Sequence, residues 1–309
     1  MKDKISIVVP CFNEEEVLPL FFRTVQEKVA SRAFFEVEYI FVNDGSTDST
    51  IEVLRELRRK NENVHYVSFS RNFGKEAALY AGLKEAEGNY VAVMDADLQD
   101  PPEMLLEMYQ ILISKDYDCV GSRRVTRKGE PVIRSFFAKM FYRVMAKISD
   151  VEIVDGARDF RLMKRYVVNA ILEMNEYNRF SKGIFCWVGF KTKYLEYENI
   201  ERVGGMTKWN FWKLFKYSIE GVVAFSTAPL FITSFLGLIC CVLSLIAFIY
   251  YLTCGLIFGT DGSGFATMVC LLLLLSGILL LAIGVIGIYL SKVYLEVKDR
   301  PKYIVKEKE

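Results

Sequence analysis

The segment Tyr90–Asp100, with the sequence YVAVMDADLQD, runs from an apolar stretch directly into a group of carboxylates. Tyr90–Met94 has the length and composition of a buried strand, and that strand ends at Asp95. Asp95 and Asp97, two positions apart beyond a strand end, can both face one hard divalent cation. An Asp-x-Asp pair alone is a weak signal, because aspartates are common in turns, so its meaning depends on the rest of the chain.

The first half of the chain alternates strand-like and helix-like segments. The other strand-like segments are Ile5–Val9, Tyr39–Val42, Val64–Ser68 and Cys119–Ser122, and the helix-like segments are Glu14–Ala30, Ser49–Lys60, Lys75–Glu87 and Pro102–Ser114. This alternation predicts βαβ units and therefore an α/β fold with a mostly parallel sheet. Ligands of such sheets bind at the carboxyl ends of the strands. Four polar motifs lie at such ends: Asn13-Glu14, Asp44-Gly45-Ser46, Arg71-Asn72 and Asp95-Ala96-Asp97.

Charge is distributed very unevenly along the 309 residues. Hydrophobic residues make up 52% of the chain, while 39 basic and 38 acidic side chains nearly cancel to a net charge of +1. The composition excludes a disordered chain and a secreted disulfide scaffold, and the charge balance argues against a nucleic-acid partner bound by bulk charge. Seven cysteines without a C-x-x-C pair and a single histidine, His65, indicate reduced thiols and argue against structural zinc.

The C-terminal third contains two uncharged segments, Leu230–Phe258 and Phe265–Leu290. Each exceeds the ~20 apolar residues that cross a bilayer, and the polar turn 259–264 between them predicts a transmembrane hairpin. The flanking charges are basic, whereas the turn carries only Asp261. By the positive-inside rule, the charged first part of the chain and both termini are expected to lie in the cytoplasm, in a multi-pass protein of the cytoplasmic membrane. The alternative is a buried helical pair in a soluble protein.

Two further segments, Ile133–Ser149 and Lys208–Phe225, combine helical apolar spacing with lysines, arginines and aromatic residues. One interpretation is a pair of amphipathic helices in the membrane interface, and the other is ordinary core-packing helices. The predicted division of the chain is therefore an α/β half (1–132), a region with the two basic aromatic segments (133–228), two transmembrane helices (229–291) and a basic cytoplasmic tail (292–309).

Several motifs together resemble family 2 glycosyltransferases of the GT-A fold. The motifs are Ile7-Val8-Val9-Pro10 with Asn13-Glu14, Val42-Asn43-Asp44-Gly45-Ser46, Ser70–Lys75 and Met94–Gln99. The chain is similar, more narrowly, to the polyprenyl-phosphate glycosyltransferases, which include dolichol-phosphate mannose synthases and bacterial bactoprenol glucosyltransferases. The similarity extends over Asp155–Leu162 and the two-helix tail, and it implies a Rossmann-like GT-A domain followed by interfacial helices and a membrane hairpin. On this resemblance, residues 1–132 would form the nucleotide-sugar half and residues 133–228 the acceptor-side region.

The resemblance implies roles for individual residues. Asp44 would contact the uracil of a UDP-sugar, with Pro10 and Glu14 lining the nucleotide pocket and Lys75 near the donor phosphates. Asp95 and Asp97 would hold Mg²⁺ or Mn²⁺, with Gln99 as a further oxygen ligand. Arg123 and Arg134 would grip the phosphate of the lipid acceptor, and Lys208 is a further candidate for that role. Asp159 matches the acidic position proposed as catalytic in the bacterial members. Each has a plainer alternative, such as a turn residue, a solvated charge, a helix cap or a salt-bridge partner.

The acceptor of such an enzyme needs little activation. A phosphate monoester has a second pKa near ~6, so it is largely dianionic and nucleophilic at neutral pH. The enzyme must instead overcome the repulsion between two anions, with metal on one and arginines on the other. Asp159 is therefore expected to orient Arg158, Arg161 or a sugar hydroxyl rather than to accept a proton. Related enzymes invert, so an α-linked donor would give a β-linked product.

The implied reaction moves a hexose from a UDP-sugar to undecaprenyl phosphate for glycosylation of the cell envelope. Glucose is favoured, N-acetylglucosamine is the second choice, and the oligomeric state is left open. A flippase and a polymer-modifying transferase are the expected downstream partners. Two alternative functions are a processive polysaccharide synthase, which would need a Q-x-x-R-W element and more spans, and a non-catalytic nucleotide-sugar binder, which would not need an intact aspartate pair.

Overall fold

A computed structural model describes residues 2–114, 116–125, 154, 156–198, 222–258 and 264–309 of the chain. The strands in these ranges are β1 (Lys4–Cys11), β2 (Glu36–Asn43), β3 (Val64–Phe69), β4 (Tyr90–Val93), β5 (Cys119–Arg124), β6 (Ala157–Lys164), β7 (Thr192–Tyr197) and β8 (Val305–Lys308). They form one mixed sheet in the order β7-β5-β6-β4-β1-β2-β3-β8. The helices are α1 (Leu18–Lys28), α2 (Thr50–Lys60), α3 (Lys75–Glu85), α4 (Met104–Ser114), α5 (Arg165–Glu173), α6 (Ser181–Trp187), α7 (Ala228–Phe258) and α8 (Phe265–Val297).

The centre of the sheet is parallel and buried on both faces. Strand β1 pairs in parallel with β2 and β4, and β2 pairs in parallel with β3. Buried residues of α1, α2 and α4 pack on one face, and those of α3, α5 and α6 pack on the other. Both faces of the central strands are therefore apolar, as expected where crossover helices cover a parallel sheet. The predicted α/β class with a mostly parallel sheet is confirmed.

Antiparallel pairs extend the sheet on both sides of this centre. Strand β6 lies between β4 and β5 and is antiparallel to both, and β7 is parallel to β5. This places β6 directly beside β4, with Arg161 opposite Val93. At the other edge β8, from the last residues of the chain, is antiparallel to β3. The segment expected to be only a basic tail thus supplies an edge strand.

The two apolar helices α7 and α8 contact each other, as expected for a hairpin. By length and composition both can cross a membrane, over Ala228–Ala247 and Leu271–Val297, and neither stretch is buried within the chain. Of the two basic aromatic segments, Ile133–Ser149 lies outside the described residues, and so do Arg134 and Lys208. Only residues 222–225 of the second segment are described, and they are helical.

Candidate active site

The carboxylate motif follows β4 at the carboxyl edge of the parallel strands. Leu98 has a φ of 53°, in the left-handed region that side chains other than glycine seldom adopt. Its side chain is buried, which holds the turn in place. The backbone N–H of Gln99 donates to Asp97 Oδ1 at 3.2 Å. Strained backbone of this kind tends to occur at functional sites, because surrounding packing must sustain it.

Lys75 joins two acidic residues that lie far apart in the chain. Its Nζ lies 2.6 Å from an Asp95 carboxylate oxygen and 2.6 Å from Asp159 Oδ2. Lys75 is the first residue of α3, after Gly74 with a φ of 100°, and Asp159 lies on β6 next to β4. The topology of the sheet therefore brings the predicted Asp159 to the predicted Asp95 and Lys75.

The protonation state of Asp159 follows from its neighbours. Burial alone would raise the pKa of this carboxyl, but the positive charges of Lys75 and Lys182 hold it well below its usual range. In the same way, burial disfavours the charged Lys75, yet Asp159 and Asp95 raise the pKa of its ammonium above the usual value. Asp159 is therefore ionised at neutral pH and is a weak base.

Asp44, at the end of β2, binds the backbone of the loop that follows β3. Its carboxylate accepts hydrogen bonds from the N–H groups of Phe73 at 2.7 Å and Gly74 at 3.0 Å. Gly45 has a φ of 64°, and a Cβ there would lie 2.2 Å from the carbonyl carbon of Arg71. The two loops thus close tightly on each other, and any contact of Asp44 with a base would use the remaining oxygen lone pairs.

The other predicted donor residues lie at the same edge of the sheet. Pro10 is paired with Val42 in the β1–β2 register, one residue before the ends of both strands. The backbone N–H of Glu14 donates to Thr50 Oγ1 at 2.9 Å, at the start of α2. Pro10, Glu14 and Asp44 therefore surround the ends of the first two strands, as a shared nucleotide pocket requires.

Three residues of the site were missed or underused by sequence reasoning. Arg158 donates through Nη2 to Gln99 Oε1 at 3.1 Å and lies 3.4 Å from Asp100 Oδ1. Asp100 is buried and also accepts a hydrogen bond from the Tyr197 hydroxyl. The amide oxygen of Gln99 is thus held by a guanidinium. The third carboxylate of the motif, Asp100, was the signal in the sequence that could have predicted Arg158, because a buried carboxylate needs a cation beside it.

The candidate acceptor residues are only partly described. Arg123 lies at the end of β5, opposite Ala157 of β6, with its side chain 41% exposed and Nη1 3.5 Å from Glu196. Arg161, by contrast, is buried, with its guanidinium 3.7 Å from the ring centroid of Phe185. Arg161 therefore supports the packing of β6, whereas Arg123 is accessible to a ligand.

The oxygen ligands present fit a hard divalent cation. Among the described ranges there is no cluster of three or more His, Cys, Asp or Glu side chains spaced to enclose a metal. Asp95 and Asp97 nevertheless offer two carboxylates. Asp95 forms an ion pair with Lys75, so positive charge is already stabilised at this edge of the sheet. Mg²⁺ and Mn²⁺ are commonly held by one or two carboxylates, with water and substrate phosphates as the other ligands. This pair of carboxylates suits such a site.

Glu76, next to Lys75 in α3, should make stability depend on pH. It accepts hydrogen bonds from the backbone and hydroxyl of Ser181, and burial raises its pKa from 4.5 to about 7. The folded state holds the proton of Glu76 more tightly than the unfolded state does. Glu76 therefore adds fully to the free energy of unfolding below pH 4.5, and this stabilisation is lost as pH rises through about 7. We expect Glu76→Gln to flatten the decline in melting temperature between pH 5 and 8. The control is Glu103→Gln, which removes one partner of the exposed Lys28–Glu103 ion pair. If melting temperature depends on pH equally in the two variants, Glu76 is not the source of the pH dependence.

Comparison with known proteins identifies the family. Residues 6–172, more than half of the chain, match glycosyl transferase family 2. The chain belongs to this family. The predicted family and GT-A fold class are therefore confirmed, and the protein is a glycosyltransferase.

Curated relatives match the family 2 chain from end to end. It is 43% identical over 309 residues to the prophage bactoprenol glucosyl transferase homolog of Escherichia coli, covering 98% of each chain. It is 42% identical over 307 residues to the SfII prophage-derived bactoprenol glucosyl transferase of Shigella flexneri, again covering 98% of each. Glucosyl-3-phosphoglycerate synthase from Mycobacterium tuberculosis, solved with Mn²⁺, UDP-glucose and phosphoglyceric acid, is 18% identical with a TM-score of 0.47, covering 72% of this chain and 78% of that one. A structural likeness of that degree bears on neither substrate nor metal.

Proposed function

We propose that this glycosyltransferase transfers glucose from UDP-glucose to undecaprenyl phosphate at the cytoplasmic face of a bacterial membrane. The observation that supports it most is the end-to-end similarity to proteins named bactoprenol glucosyl transferases, which includes the two apolar helices. The product is a lipid-phosphate monosaccharide, the donor for a later step of cell-envelope glycosylation on the other side of the membrane. A flippase and a second transferase would have to follow it.

The reaction forms one bond and breaks one bond at the anomeric carbon. A phosphate oxygen of the lipid attacks C1 of glucose, the bond from C1 to the UDP oxygen breaks, and UDP leaves with the electron pair. Asp95 and Asp97, with Gln99 nearby, would hold a divalent cation, which would supply charge neutralisation for the departing diphosphate. The lipid phosphate brings its own negative charge, so the site has no need of a strong base.

Asp159 and Lys75 suit a positioning and electrostatic role. Asp159 is held ionised by Lys75, 2.6 Å away, so it can accept a hydrogen bond from a sugar hydroxyl but is a poor proton acceptor. Lys75, whose side chain is 40% exposed, can pair with a donor phosphate from its place beside Asp95. The Lys75 ammonium and the Asp159 carboxylate thus lie together between the Asp95 motif and β6.

The two long apolar helices give the enzyme access to its acceptor. Withdrawing a polyprenyl chain from the bilayer would cost ~0.8 kcal/mol per CH₂ group, so the enzyme must come to the lipid. Helices α7 and α8 would hold the domain at the membrane, with both termini in the cytoplasm. The basic aromatic segments Ile133–Ser149 and Lys208–Phe225, which lie almost wholly outside the described residues, are proposed to lie at headgroup height, with Arg134 and Lys208 as candidates to meet the lipid phosphate.

The proposal is tested by release of UDP from purified enzyme in membranes. UDP should appear only when UDP-glucose, undecaprenyl phosphate and Mg²⁺ or Mn²⁺ are all present, and a chelator should stop it. UDP-N-acetylglucosamine, the second donor considered, is assayed in parallel under the same conditions. UDP release that is independent of the lipid phosphate, or full activity in excess chelator, would contradict the proposal.

Arg123 should contribute to acceptor binding rather than donor binding. A charge-assisted pair with phosphate is worth ~1.5–3 kcal/mol, so Arg123→Ala should raise the apparent KM for undecaprenyl phosphate about tenfold or more. UDP affinity should remain close to that of the wild type. The matched control is Glu196→Gln, which removes the neighbouring carboxylate 3.5 Å away. A loss of UDP affinity with unchanged acceptor dependence would move Arg123 to the donor side.

A further inference from the structure

The last residues of the chain form a strap along the edge of the sheet beside the donor site. We define the C-terminal strap as Tyr303–Glu309, which contains β8. The backbones of Tyr66 and Glu309 exchange two hydrogen bonds, at 2.9 and 3.1 Å. Beyond the end of β3, the N–H of Ser70 donates to the carbonyl of Ile304 at 3.0 Å. The strap therefore extends past the strand to the first residue of the following loop.

Side chains fix the strap in register. Glu307 accepts hydrogen bonds from Arg55 Nε at 2.8 Å and from the Tyr66 hydroxyl at 2.5 Å. These two donors, Arg55 first, lower the pKa of Glu307 to about 2, so it stays charged. On the other side Lys308 Nζ lies 2.5 Å from Glu85, at the end of α3. The strap is thereby attached to α2, β3 and α3 at once.

A row of aromatic rings leads from the strap to the donor side of the site. The ring of Tyr303 stacks on Phe69 at 4.8 Å, and Phe69 meets the edge of Phe73 at 5.8 Å. The N–H of Phe73 is the group that donates to Asp44 Oδ1 at 2.7 Å. We call Ser70–Lys75 the donor-side loop, because it holds Asp44 through its backbone and ends in the lysine that pairs with Asp95. Ser70 of this loop thus bonds the strap directly, and Phe73 is linked to it through the ring of Phe69.

The strap is continuous with the long apolar helix α8. Near the end of that helix, Glu296 accepts hydrogen bonds from the N–H groups of Tyr177, at 2.9 Å, and Asn178, at 3.2 Å. Lys292 donates to Asn178 Oδ1 at 2.7 Å. The segment from Lys292 to the C-terminus therefore connects α8 first to the region before α6 and then to the donor-side loop.

We propose that the C-terminal strap positions the donor-side loop for nucleotide binding, with Tyr303 as the positioning residue that acts through Phe69 and Phe73. Asp44 holds the backbone of the loop at Phe73 and Gly74, and the strap adds a hydrogen bond at Ser70 and the ring contact that reaches Phe73 through Phe69. The strap thus links the membrane-facing helix to the donor side of the enzyme. The inference rests on the proposed function only for the choice of UDP as probe.

The test compares full-length Tyr303→Ala, Tyr303→Phe and Lys306→Ala, the last at an exposed position of the strap. Hydrogen exchange is measured without nucleotide at the Phe73 and Gly74 amides, with β7 at the far edge of the sheet as the internal reference. UDP affinity is then measured with Mn²⁺. An aromatic pair is worth about 0.5–1.5 kcal/mol, so we expect about fivefold faster exchange and about fivefold weaker UDP binding in Tyr303→Ala. Tyr303→Phe, which keeps the ring, and Lys306→Ala should match the wild type, and exchange in β7 should not change.

The outcomes separate positioning from general destabilisation. Exchange that rises equally in the donor-side loop and in β7, or UDP affinity unchanged in Tyr303→Ala, would overturn the inference. If Tyr303→Ala does not fold, Tyr303→Leu decides by the same two measurements, because it keeps apolar bulk without a ring. A wild type that does not bind UDP would count against the proposed function, whereas the exchange result without nucleotide would still test the strap.

Discussion

Replacing Asp97 with asparagine should lower glucosyl transfer by at least ~10³-fold, and Asp95→Asn should come close to that loss. The reason is that a hard cation site built from two carboxylates loses half of its anionic ligands, while an amide oxygen is a poorer ligand. Asp95 also pairs with Lys75, so its loss would leave Asp159 as the lysine's acidic partner at this site. The measurement is the initial rate of UDP release in membranes containing undecaprenyl phosphate, over a titration of Mn²⁺.

The matched control for this pair is Asp116→Asn. Asp116 is 96% exposed and paired with Lys191 on the surface, away from the strand-end motif. It should retain wild-type rates, and all three variants should keep the wild-type melting temperature to within a few degrees. Near-normal transfer by Asp97→Asn at saturating metal would show that the cation, if required, is held by other groups.

Deleting the membrane hairpin while keeping the strap should separate donor binding from acceptor access. The hydroxyl of Tyr289 donates to the carbonyl of Ser226 at 2.6 Å, so a short Gly/Ser linker can replace residues 228–287. We expect this variant to bind UDP with near wild-type affinity. It should lose ~10²-fold or more in transfer to undecaprenyl phosphate in membranes, because the site is no longer held at the bilayer. A short, water-soluble polyprenyl phosphate should recover part of the rate.

A second deletion provides the control for the first. Truncation after Phe225 removes the hairpin and also the C-terminal strap, which leaves the edge of β3 unpaired. This truncated chain should bind UDP more weakly than the linker variant and should aggregate more readily. Equal transfer to the membrane-embedded acceptor with and without the hairpin would show that α7 and α8 serve another purpose.

The sequence predicted the centre of the fold closely, because buried parallel strands are continuous apolar segments. Val64–Ser68, for example, was predicted as a strand, and β3 extends one residue further, to Phe69. Strand β6 was not predicted because its sequence, ARDFRLMK, is strongly charged and lacks alternation. Its charged residues are satisfied by groups distant in the chain, such as Lys75 for Asp159. Local periodicity contains no information about such partners.

The edge strand β8 was missed for a related reason. Val305–Lys308, with the sequence VKEK, has the composition of a solvated tail. Its place in the sheet depends on Arg55 and Tyr66, which bind Glu307 across more than 240 positions of sequence. At the candidate active site, too, the sequence could not predict contacts between residues that are distant in the chain. The strand-end motifs gave Asp44, Asp95 and Asp97, whereas the pairing of Lys75 with Asp95 and Asp159 required the sheet order to be known.

The most direct test of the proposed function is the chemical identity of the product. Purified enzyme in membranes containing undecaprenyl phosphate is incubated with UDP-glucose and Mg²⁺ or Mn²⁺, and the lipid extract is analysed by mass spectrometry. We expect one new species, undecaprenyl phosphate bearing a single hexose, formed in equal amount to the UDP released and absent with Asp97→Asn. A polymeric glycan in the extract, or UDP release without any glycosylated lipid, would contradict it.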